Sequence, residues 1–244
     1  MIDIHAHIVP GVDDGSPDLE DSVLMAELAV EGGVDTIITT PHGNMSEGPA
    51  RRLEEQEHTG LIRKRLEELQ TELVKRNIPL RLYSGMEIFT TEDTVSLLQE
   101  GILLPMAGTD HCLIEFDFDA SAAWCTRRIV EILDAGWKVI IAHPERYDCV
   151  QSDFYTAESW IAMGCQLQAN RGSILGSFGR EPHRAAWEML ERDFYTYVGS
   201  DAHSPYHRTT YMKDVYEVIC DAFSVRKADE LLEHNARLLL TGIQ

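Results

Sequence analysis

Eight side chains that could bind a cation occur at spaced positions along the chain. His5-Ala6-His7 and Asp201-Ala202-His203 each place two such side chains two residues apart. Residues i and i+2 of an extended strand point to the same face, so each pair could hold one cation. The other four are His42, Glu87, Glu115 and His143. Imidazole and carboxylate groups are ordinary ligands of zinc, manganese and iron, and none of these positions needs a thiolate.

The apolar pattern predicts the elements that position these residues, because it alternates between β-rich runs and helical stripes. Strands are predicted at 2–5, 35–40, 80–87, 112–116, 138–143, 165–169 and 195–200. The first predicted helix has Ser16 as its N-cap and Pro17 at its first position, and Gly32-Gly33 ends it. Further helices are predicted at about 50–76, 122–135, 157–163, 183–191, 212–223 and 225–235.

Strands that alternate with helices in this way are typical of a parallel α/β sheet covered by helices. Seven strands without a Gly/Ser/Pro-rich linker predict one domain, residues 1–244, with a closed or nearly closed barrel. A doubly wound open sheet is the alternative, although no G-x-G-x-x-G follows the first strand. Parallel barrels carry their chemistry at the C-terminal ends of the strands, where the eight residues fall.

We therefore predict a metal site with two or three divalent ions, because eight ligands exceed what one ion with open positions uses. Bridging carboxylates commonly hold such ions about 3.5–4 Å apart. Asp14, in the loop 12–15, is a further candidate ligand, and a turn or capping role is equally compatible with its position.

The amino-acid composition limits which binding partners and which cellular compartment we expect for this protein. The 41 acidic and 21 basic residues give a formal charge of −20, which argues against nucleic acid and anionic membranes as partners. The five cysteines are scattered and form no C-x-x-C pair, as expected for a cytoplasmic protein with reduced thiols. The first residues do not resemble a signal peptide, and no run approaches the roughly 18 apolar residues of a membrane helix. We expect a cytoplasmic protein without membrane insertion.

The order of the candidate ligands resembles the polymerase-and-histidinol-phosphatase (PHP) superfamily of metal phosphoesterases. Residues 4–15 (IHAHIVPGVDDG), 40–42 (TPH) and 199–203 (GSDAH) narrow the resemblance to the CpsB/CapC-type bacterial protein-tyrosine phosphatases of capsule and exopolysaccharide operons. The resemblance extends from Met1 to about Leu240. It implies a distorted, TIM-like (β/α)7 barrel with a trinuclear metal centre, often of manganese.

The resemblance also implies a role for each candidate residue. It places the first ion on His5, His7, Glu87 and Asp201, the second on Glu87, Glu115 and His143, and the third on Asp14, His42 and His203. Asp14 and Glu115 stand where histidinol-phosphatase-like relatives more often have histidine. These oxygen ligands favour manganese, with iron, zinc, cobalt and magnesium as alternatives. The residues expected to take part in catalysis are Asp14, His42 and two phosphate-binding arginines, Arg146 and Arg208.

The function implied is that of a metal-dependent protein-tyrosine phosphatase in which a metal-bound hydroxide attacks phosphorus. The implied substrate is the tyrosine-rich tail of a bacterial kinase that regulates capsule synthesis. Two alternatives share the same residues. One is a small-molecule phosphatase of the histidinol-phosphate type, and the other is a metal-stabilised scaffold that binds phosphotyrosine without cleaving it.

Two further enzyme classes are disfavoured by the residues. Cys165 and Arg171 spell the C-x5-R of cysteine phosphatases, but 166–169 alternates like a strand and lacks the glycines of a phosphate-binding loop. We expect Arg171 to form a salt bridge. Amidohydrolase barrels also open with H-x-H, but they usually carry a lysine at the end of the fourth strand, where this chain has Glu115.

Overall fold

The computed structural model describes residues 1–46, 48 and 50–241. Its strands pair in parallel throughout this part of the chain. They are β1 Ile2–Ala6, β2 Thr36–Thr39, β3 His42–Gly43, β4 Arg81–Ser84, β5 Glu87–Phe89, β6 His111–Glu115, β7 Lys138–Ala142, β8 Gln166–Asn170 and β9 Tyr197–Gly199.

These strands occupy the seven predicted positions of a curled sheet. The strand predicted at 35–40 ends as β2, and after a break at 40–41 the chain continues as β3, beyond the predicted end. The strand predicted at 80–87 is broken at 85–86 into β4 and β5, so the sheet is divided into β1-β2-β4 and β3-β5-β6-β7-β8-β9. Pro41 has no N–H to donate, which limits the hydrogen bonding of the chain between β2 and β3. The last strand position meets the first, because Asp201 N donates to His5 O at 2.7 Å and His7 N donates to Ala202 O at 2.9 Å. The prediction of a parallel barrel is confirmed.

The helices follow the predicted pattern, with some additions. Their bounds are α1 Leu19–Glu31, α2 Arg51–Lys75, α3 Thr94–Gln99, α4 Ala122–Asp134, α5 Asp148–Ser152, α6 Tyr155–Ala162, α7 Arg171–Ile174, α8 Arg180–Glu191, α9 Lys213–Ala222, α10 Val225–Asp229 and α11 Asn235–Leu240. A π-helical turn over Glu230–His234 joins the last two. None of the helices in the described ranges has both the length and the apolar character needed to cross a membrane.

The predicted start of the first helix is wrong. Asp18 is the N-cap of α1, and its side chain accepts a hydrogen bond from Asp21 N at 3.0 Å. The Ser16 hydroxyl donates instead to Asp18 O at 2.9 Å, so Ser16 and Pro17 lie before the helix. Asp and Ser are comparable caps, and the sequence alone does not separate them. The predicted end is confirmed, because Gly32 is the C-cap and Gly33 has φ +82°.

Two apolar clusters lie on the two sides of the sheet. Ile4, Ile38 and Leu113 belong to the cluster inside the barrel, and a larger cluster joins the outer face to the helices. The alternation of side chains between the two faces of the sheet is interrupted within β1. Ala6 belongs to the outer cluster, and the pairing register shifts between Asp3 and Ala6. Such an irregularity lets two successive side chains, Ile4 and His5, both face the interior. Ile4 thereby fills the barrel while His5 reaches the site above it.

Candidate metal centre

The predicted ligands converge at the C-terminal ends of the strands. His5 lies in β1 and His7 directly after it, while Glu115 ends β6 and His143 follows β7. His42 and Glu87 are the first residues of the short strands β3 and β5, opposite each other in the pairing register. Asp201 and His203 follow β9, and Asp14 comes from the loop before α1. Residues from both ends of the chain thus meet in one place.

His5, His7, Glu87 and Asp201 form a fully buried first group, in which one ligand atom from each lies within 4.8 Å of the others. Glu87 Oε2 is 3.3 Å from His5 Nε2 and 3.2 Å from His7 Nε2. Asp201 Oδ1 is 3.5 Å from His5 Nε2 and 3.6 Å from His7 Nε2. The group could surround one ion, and it has the same members as the first ligand set implied by the resemblance.

Glu87 also belongs to a second group, with His42 and Glu115. Its Oε2 lies 3.3 Å from His42 Nδ1, and its Oε1 lies 2.8 Å from His143 Nε2. Glu115 is close to both histidines, at 3.7 Å from His42 Nδ1 and 3.5 Å from His143 Nε2. The two oxygens of Glu87 therefore face different imidazoles, as a bridging carboxylate would.

The third group contains His7, Asp14, His42 and His203. Asp14 Oδ1 is 3.5 Å from His42 Nε2 and 3.5 Å from His203 Nε2. The Asp14 side chain is 69% exposed, so this group lies at the mouth of the site. Asp14 does not cap α1, because Asp18 does. Asp14 therefore faces two imidazoles, those of His42 and His203, and the helix is capped by another residue.

Two supporting residues escaped sequence analysis. Asp13 Oδ2 lies 2.7 Å from His7 Nδ1 and accepts a hydrogen bond from His42 N at 3.0 Å. Burial would raise the pKa of Asp13, but the hydrogen bond and charge of His7 lower it to about 2. Gln168 Oε1, on β8, lies 2.8 Å from His5 Nδ1. Holding the second nitrogen of an imidazole in this way is typical of metal-binding histidines.

The chemistry of the donor set fits divalent cations. Burial and the neighbouring Glu87 and Asp201 raise the pKa of Glu115 to about 9. A bound cation would offset this repulsion among carboxylates. The buried His42 Nδ1 and His143 Nδ1 have no hydrogen-bond partner within the described part of the chain. His42 Nδ1 faces Glu87 and Glu115, so a cation held by these two carboxylates would also be within reach of this nitrogen.

The two predicted arginines meet the site through Asp201. Arg208 donates from its terminal nitrogen to Asp201 Oδ2 at 2.6 Å and from Nε to Asp201 O at 3.2 Å. Arg146 lies 3.4 Å from the same Oδ2. The Oδ1 atom of Asp201 faces His5 and His7, so this carboxylate lies between the arginines and the two histidines of the first ligand group.

A pocket of about 150 Å³ lies between the ligand groups and the arginines. Its lining combines two arginines, one aromatic ring and the candidate ligands: Asp14, His42, Glu87, Glu115, Phe118, His143, Arg146, Asp201, His203 and Arg208. No lysine is among these described lining residues, and Glu115, at the end of β6, stands where amidohydrolase barrels usually carry one. Four carboxylates and two arginines line the pocket, so its size suits a compact anion such as phosphate, and its charge would suit one once cations were bound to the carboxylates.

Three residues of the site other than glycine have a left-handed backbone. Their φ values are +33° at His143, +50° at Asp201 and +47° at Arg208. Such conformations cost on the order of 1–3 kcal/mol each and persist where the surrounding structure holds them. Each of these residues lines the pocket. The backbone thus adopts costly conformations where the chemistry is located.

The C-x5-R pattern does not form a phosphate loop. Gln166–Asn170 is strand β8, as predicted, and Cys165 is buried. Arg171 forms a two-point ion pair with Asp214, in which its Nε donates to Asp214 Oδ1 at 2.8 Å. Burial raises the pKa of the Cys165 thiol to about 12, so the nucleophilic thiolate is scarce at neutral pH.

If the site hydrolyses phosphate esters as the resemblance implies, we expect Cys165→Ser to retain that activity within about twofold, because a buried neutral thiol takes no part in metal-dependent hydrolysis. The measurement is kcat/KM with p-nitrophenyl phosphate, alongside the melting temperature as a check on folding. A loss of activity in a folded, metal-loaded Cys165→Ser variant would contradict this reading.

Comparison with known proteins gives a consistent result. Residues 1–241 match the family described as capsular polysaccharide synthesis, CpsB/CapC. The chain is 32% identical over 240 residues to the tyrosine-protein phosphatase YwqE of Bacillus subtilis (strain 168), covering 98% of this chain and 91% of that one. It is 31% identical over 247 residues to the tyrosine-protein phosphatase CpsB of Streptococcus pneumoniae, covering 98% of both.

A solved structure is similar over nearly the whole chain, with a TM-score of 0.86 and 30% sequence identity. It covers 98% of this chain and 94% of that one. It comes from crystal structures of YwqE from Bacillus subtilis and CpsB from Streptococcus pneumoniae, described as unique metal-dependent tyrosine phosphatases.

Proposed function

The chain belongs to the CpsB/CapC family of capsular polysaccharide synthesis, and we propose that it works as a metal-dependent protein-tyrosine phosphatase through ions held at its strand ends. One observation carries the proposal. Three overlapping groups of ligand atoms lie beside two arginines around one pocket of about 150 Å³. Ligands for cations and donors for an anion are thus in contact, as metal-dependent phosphomonoester hydrolysis requires.

The proposed ligand sets are those that the resemblance implies. His5, His7, Glu87 and Asp201 would hold one ion, Glu87, Glu115 and His143 a second, and Asp14, His42 and His203 a third. The first set coincides with one group of ligand atoms, the distances from His143 to Glu87 and Glu115 support the second, and His42 and His7 also lie close to the second and third sets, respectively. Four of the nine ligands are carboxylates, which suits manganese, with iron, zinc, cobalt and magnesium as alternatives. Asp13 and Gln168 orient His7 and His5.

The residues divide the work of phosphate hydrolysis among them. Bound divalent ions neutralise the phosphate charge and lower the pKa of water toward neutrality. Arg146 and Arg208 bind phosphate oxygens in the planar, two-point manner that lysine does not reproduce. Asp14 and His42 stand at the open side of the pocket, next to the arriving substrate. A tyrosyl leaving group has a pKa of about 10 and needs less protonation than an alkyl alcohol does.

The proposed substrate is a phosphotyrosyl protein, and specifically the tyrosine-rich tail of a kinase that regulates capsule synthesis. Membership of a capsular polysaccharide synthesis family supports this substrate. We further propose that residues 1–244 form one catalytic domain in the cytoplasm. Its five cysteines, which form no disulfide, support a reducing compartment.

The decisive experiment compares substrates and metals. The protein, stripped by chelator and reloaded with one ion at a time, is assayed on a phosphotyrosyl peptide and on histidinol phosphate. We expect chelation to abolish turnover, manganese to restore it, and the peptide to be preferred at least about tenfold in kcat/KM. A preference for histidinol phosphate would identify a small-molecule phosphatase instead. Bound metal without hydrolysis of any aryl phosphate would identify a binding scaffold.

Activity and metal content are expected to fall together below about pH 6, because ligand imidazoles must be neutral. In the metal-free protein, burial lowers the pKa of His5 and His7, but the neighbouring carboxylates outweigh burial and raise both. Binding a cation therefore displaces protons, so metal affinity rises with pH through these pKa values and falls in acid. Metal content and kcat/KM measured from pH 5 to 8 test this.

The exposed His207 provides a control for the acid effect. His207→Gln should leave the pH profile unchanged, because His207 is outside the ligand groups formed by the described residues. Full metal content and an unchanged rate at pH 5 would contradict imidazole ligation.

A further inference from the structure

Phe178 packs against both arginines of the site. Its ring centre lies 4.7 Å from the guanidinium carbon of Arg146 and 5.4 Å from that of Arg208. Arg146 also contacts Phe118, at 4.3 Å from the ring centre. Phe118 lines the phosphate-sized pocket, whereas Phe178 is not among the described residues that line it. Phe178 therefore meets the arginines from outside the pocket.

The loop that carries Phe178 folds back on the start of α7. Asn170, at the end of β8, caps this helix by accepting from Gly172 N at 2.8 Å, and its amide nitrogen donates to Asp201. Ser177 N then donates to Gly172 O at 2.7 Å, which closes the loop before Phe178. The same short segment thus contacts Asp201 at one end and places Phe178 against the arginines at the other.

Gly172 is the position that makes room for the ring. A Cβ at this residue would lie 2.4 Å from Phe178 Cε2 and 2.9 Å from Cζ. Carbon atoms in contact normally stay about 3.5–4.0 Å apart, so any larger residue at Gly172 would displace the ring. The close approach of Phe178 thus depends on the absence of a side chain at Gly172.

We propose that Phe178 is a positioning residue that holds Arg146 and Arg208 in the orientation for binding the phosphate group, and that Gly172 is required to seat it. The inference rests on the proposed function, in which both arginines bind phosphate. Arginine side chains are long and flexible, and stacking on an aromatic ring restricts the guanidinium plane. Groups fixed before substrate arrives lose less entropy when it binds.

A second feature supports this role for Arg208. Its terminal nitrogen is bonded to Asp201 Oδ2, so the Phe178 ring and the Asp201 carboxylate restrain one guanidinium from two directions. Arg146 has the same two kinds of partner. One ring shared by the two arginines also fixes their separation, which a two-point phosphate clamp needs.

The experiment uses the full-length, metal-loaded protein and four variants. Phe178→Ala removes the ring, Gly172→Ala displaces it without altering any arginine contact directly, and Phe178→Tyr keeps it. Phe154→Ala is the matched control, because Phe154 packs against Arg184 and Arg192, which are not among the described residues lining the pocket. The readouts are kcat and KM for a phosphotyrosyl peptide, the inhibition constant for inorganic phosphate, metal content and melting temperature.

We expect Phe178→Ala and Gly172→Ala to raise both KM and the phosphate inhibition constant by about tenfold, with metal content unchanged and a smaller change in kcat. Phe178→Tyr and Phe154→Ala should behave like the parent protein. If Phe178→Ala loses metal or unfolds, the positioning role of the ring is tested with Phe178→Leu instead. It keeps apolar bulk but has no ring face, so it should raise the inhibition constant in a folded, metal-loaded protein.

Two outcomes separate this inference from the proposed function. If Arg146→Ala and Arg208→Ala raise the phosphate inhibition constant but the Phe178 and Gly172 variants do not, Phe178 is not a positioning residue and the phosphatase proposal stands. If the arginine variants also leave the constant unchanged, the arginines do not bind phosphate, and both the clamp and its positioning are rejected.

Discussion

Replacing Glu87 by glutamine is expected to lower kcat/KM for a phosphotyrosyl peptide by about 10³-fold or more, the largest effect of any single substitution in the site. The Glu87 carboxylate lies within 3.3 Å of four imidazoles, those of His5, His7, His42 and His143. Burial would raise its pKa, but the imidazoles of His5, His143 and His7 hold it well below the ordinary value. An amide has nearly the same shape, yet it supplies neither the negative charge nor the second acceptor oxygen that a bridge needs.

The measurement pairs kinetics with metal analysis. Glu87→Gln should lose at least one equivalent of bound metal as well as activity, since the carboxylate belongs to two of the three ligand groups. The control is Glu92→Gln, an exposed residue outside those groups, and it should match the parent protein in both respects. A Glu87→Gln protein with full metal content and undiminished turnover would show that the carboxylate does not bridge ions.

The second large effect is expected at Arg146. Arg146→Lys should lower kcat/KM by about 10²-fold, nearly as much as Arg146→Ala, although lysine keeps the positive charge. The guanidinium group offers a planar fork that matches two phosphate oxygens, and it also packs on Phe118 and Phe178. An ammonium group is a point charge with no plane to stack, so it does not restore either interaction.

The kinetic constants distinguish this role from a structural one. Arg146→Lys should raise the inhibition constant for inorganic phosphate while the metal content stays at its parent value, because Arg146 is not a ligand. Arg184→Lys is the matched control, because Arg184 packs on Phe154 instead. It should leave kcat/KM, the phosphate inhibition constant and the metal content unchanged. A lysine variant as active as the parent would show that charge alone suffices at this position.

The fold was largely predictable because buried parallel strands produce long apolar runs. The seven strand positions and the longer helices follow from those runs and from helical periodicity. Short helices such as Thr94–Gln99 and Arg171–Ile174 span too few residues to show a period. The register irregularity between Asp3 and Ala6 also escaped prediction, because it depends on how β1 meets its neighbours.

The site was predictable where its residues stand at strand ends or in paired spacings, as with His5 and His7. The supporting side chains were not. Asp13 and Asp14 are adjacent and alike, and only the fold shows that Asp13 meets His7 while Asp14 faces His42. Gln168 and Phe178 reach the site from β8 and from the loop after α7. Neither residue type nor spacing marks such contacts, since they arise from tertiary packing.

The closure of the sheet between its first and last strands has a consequence for folding during translation. Ser200 N donates to Asp3 Oδ1 across 197 positions, and the ligands His5 and His7 lie beside Asp201 at this seam. During translation, His5 and His7 leave the ribosome long before Asp201 has been synthesised. The groups that include Asp201 or His203 are therefore complete only after the last strand has been translated, whereas His42, Glu87 and Glu115 can come together before it.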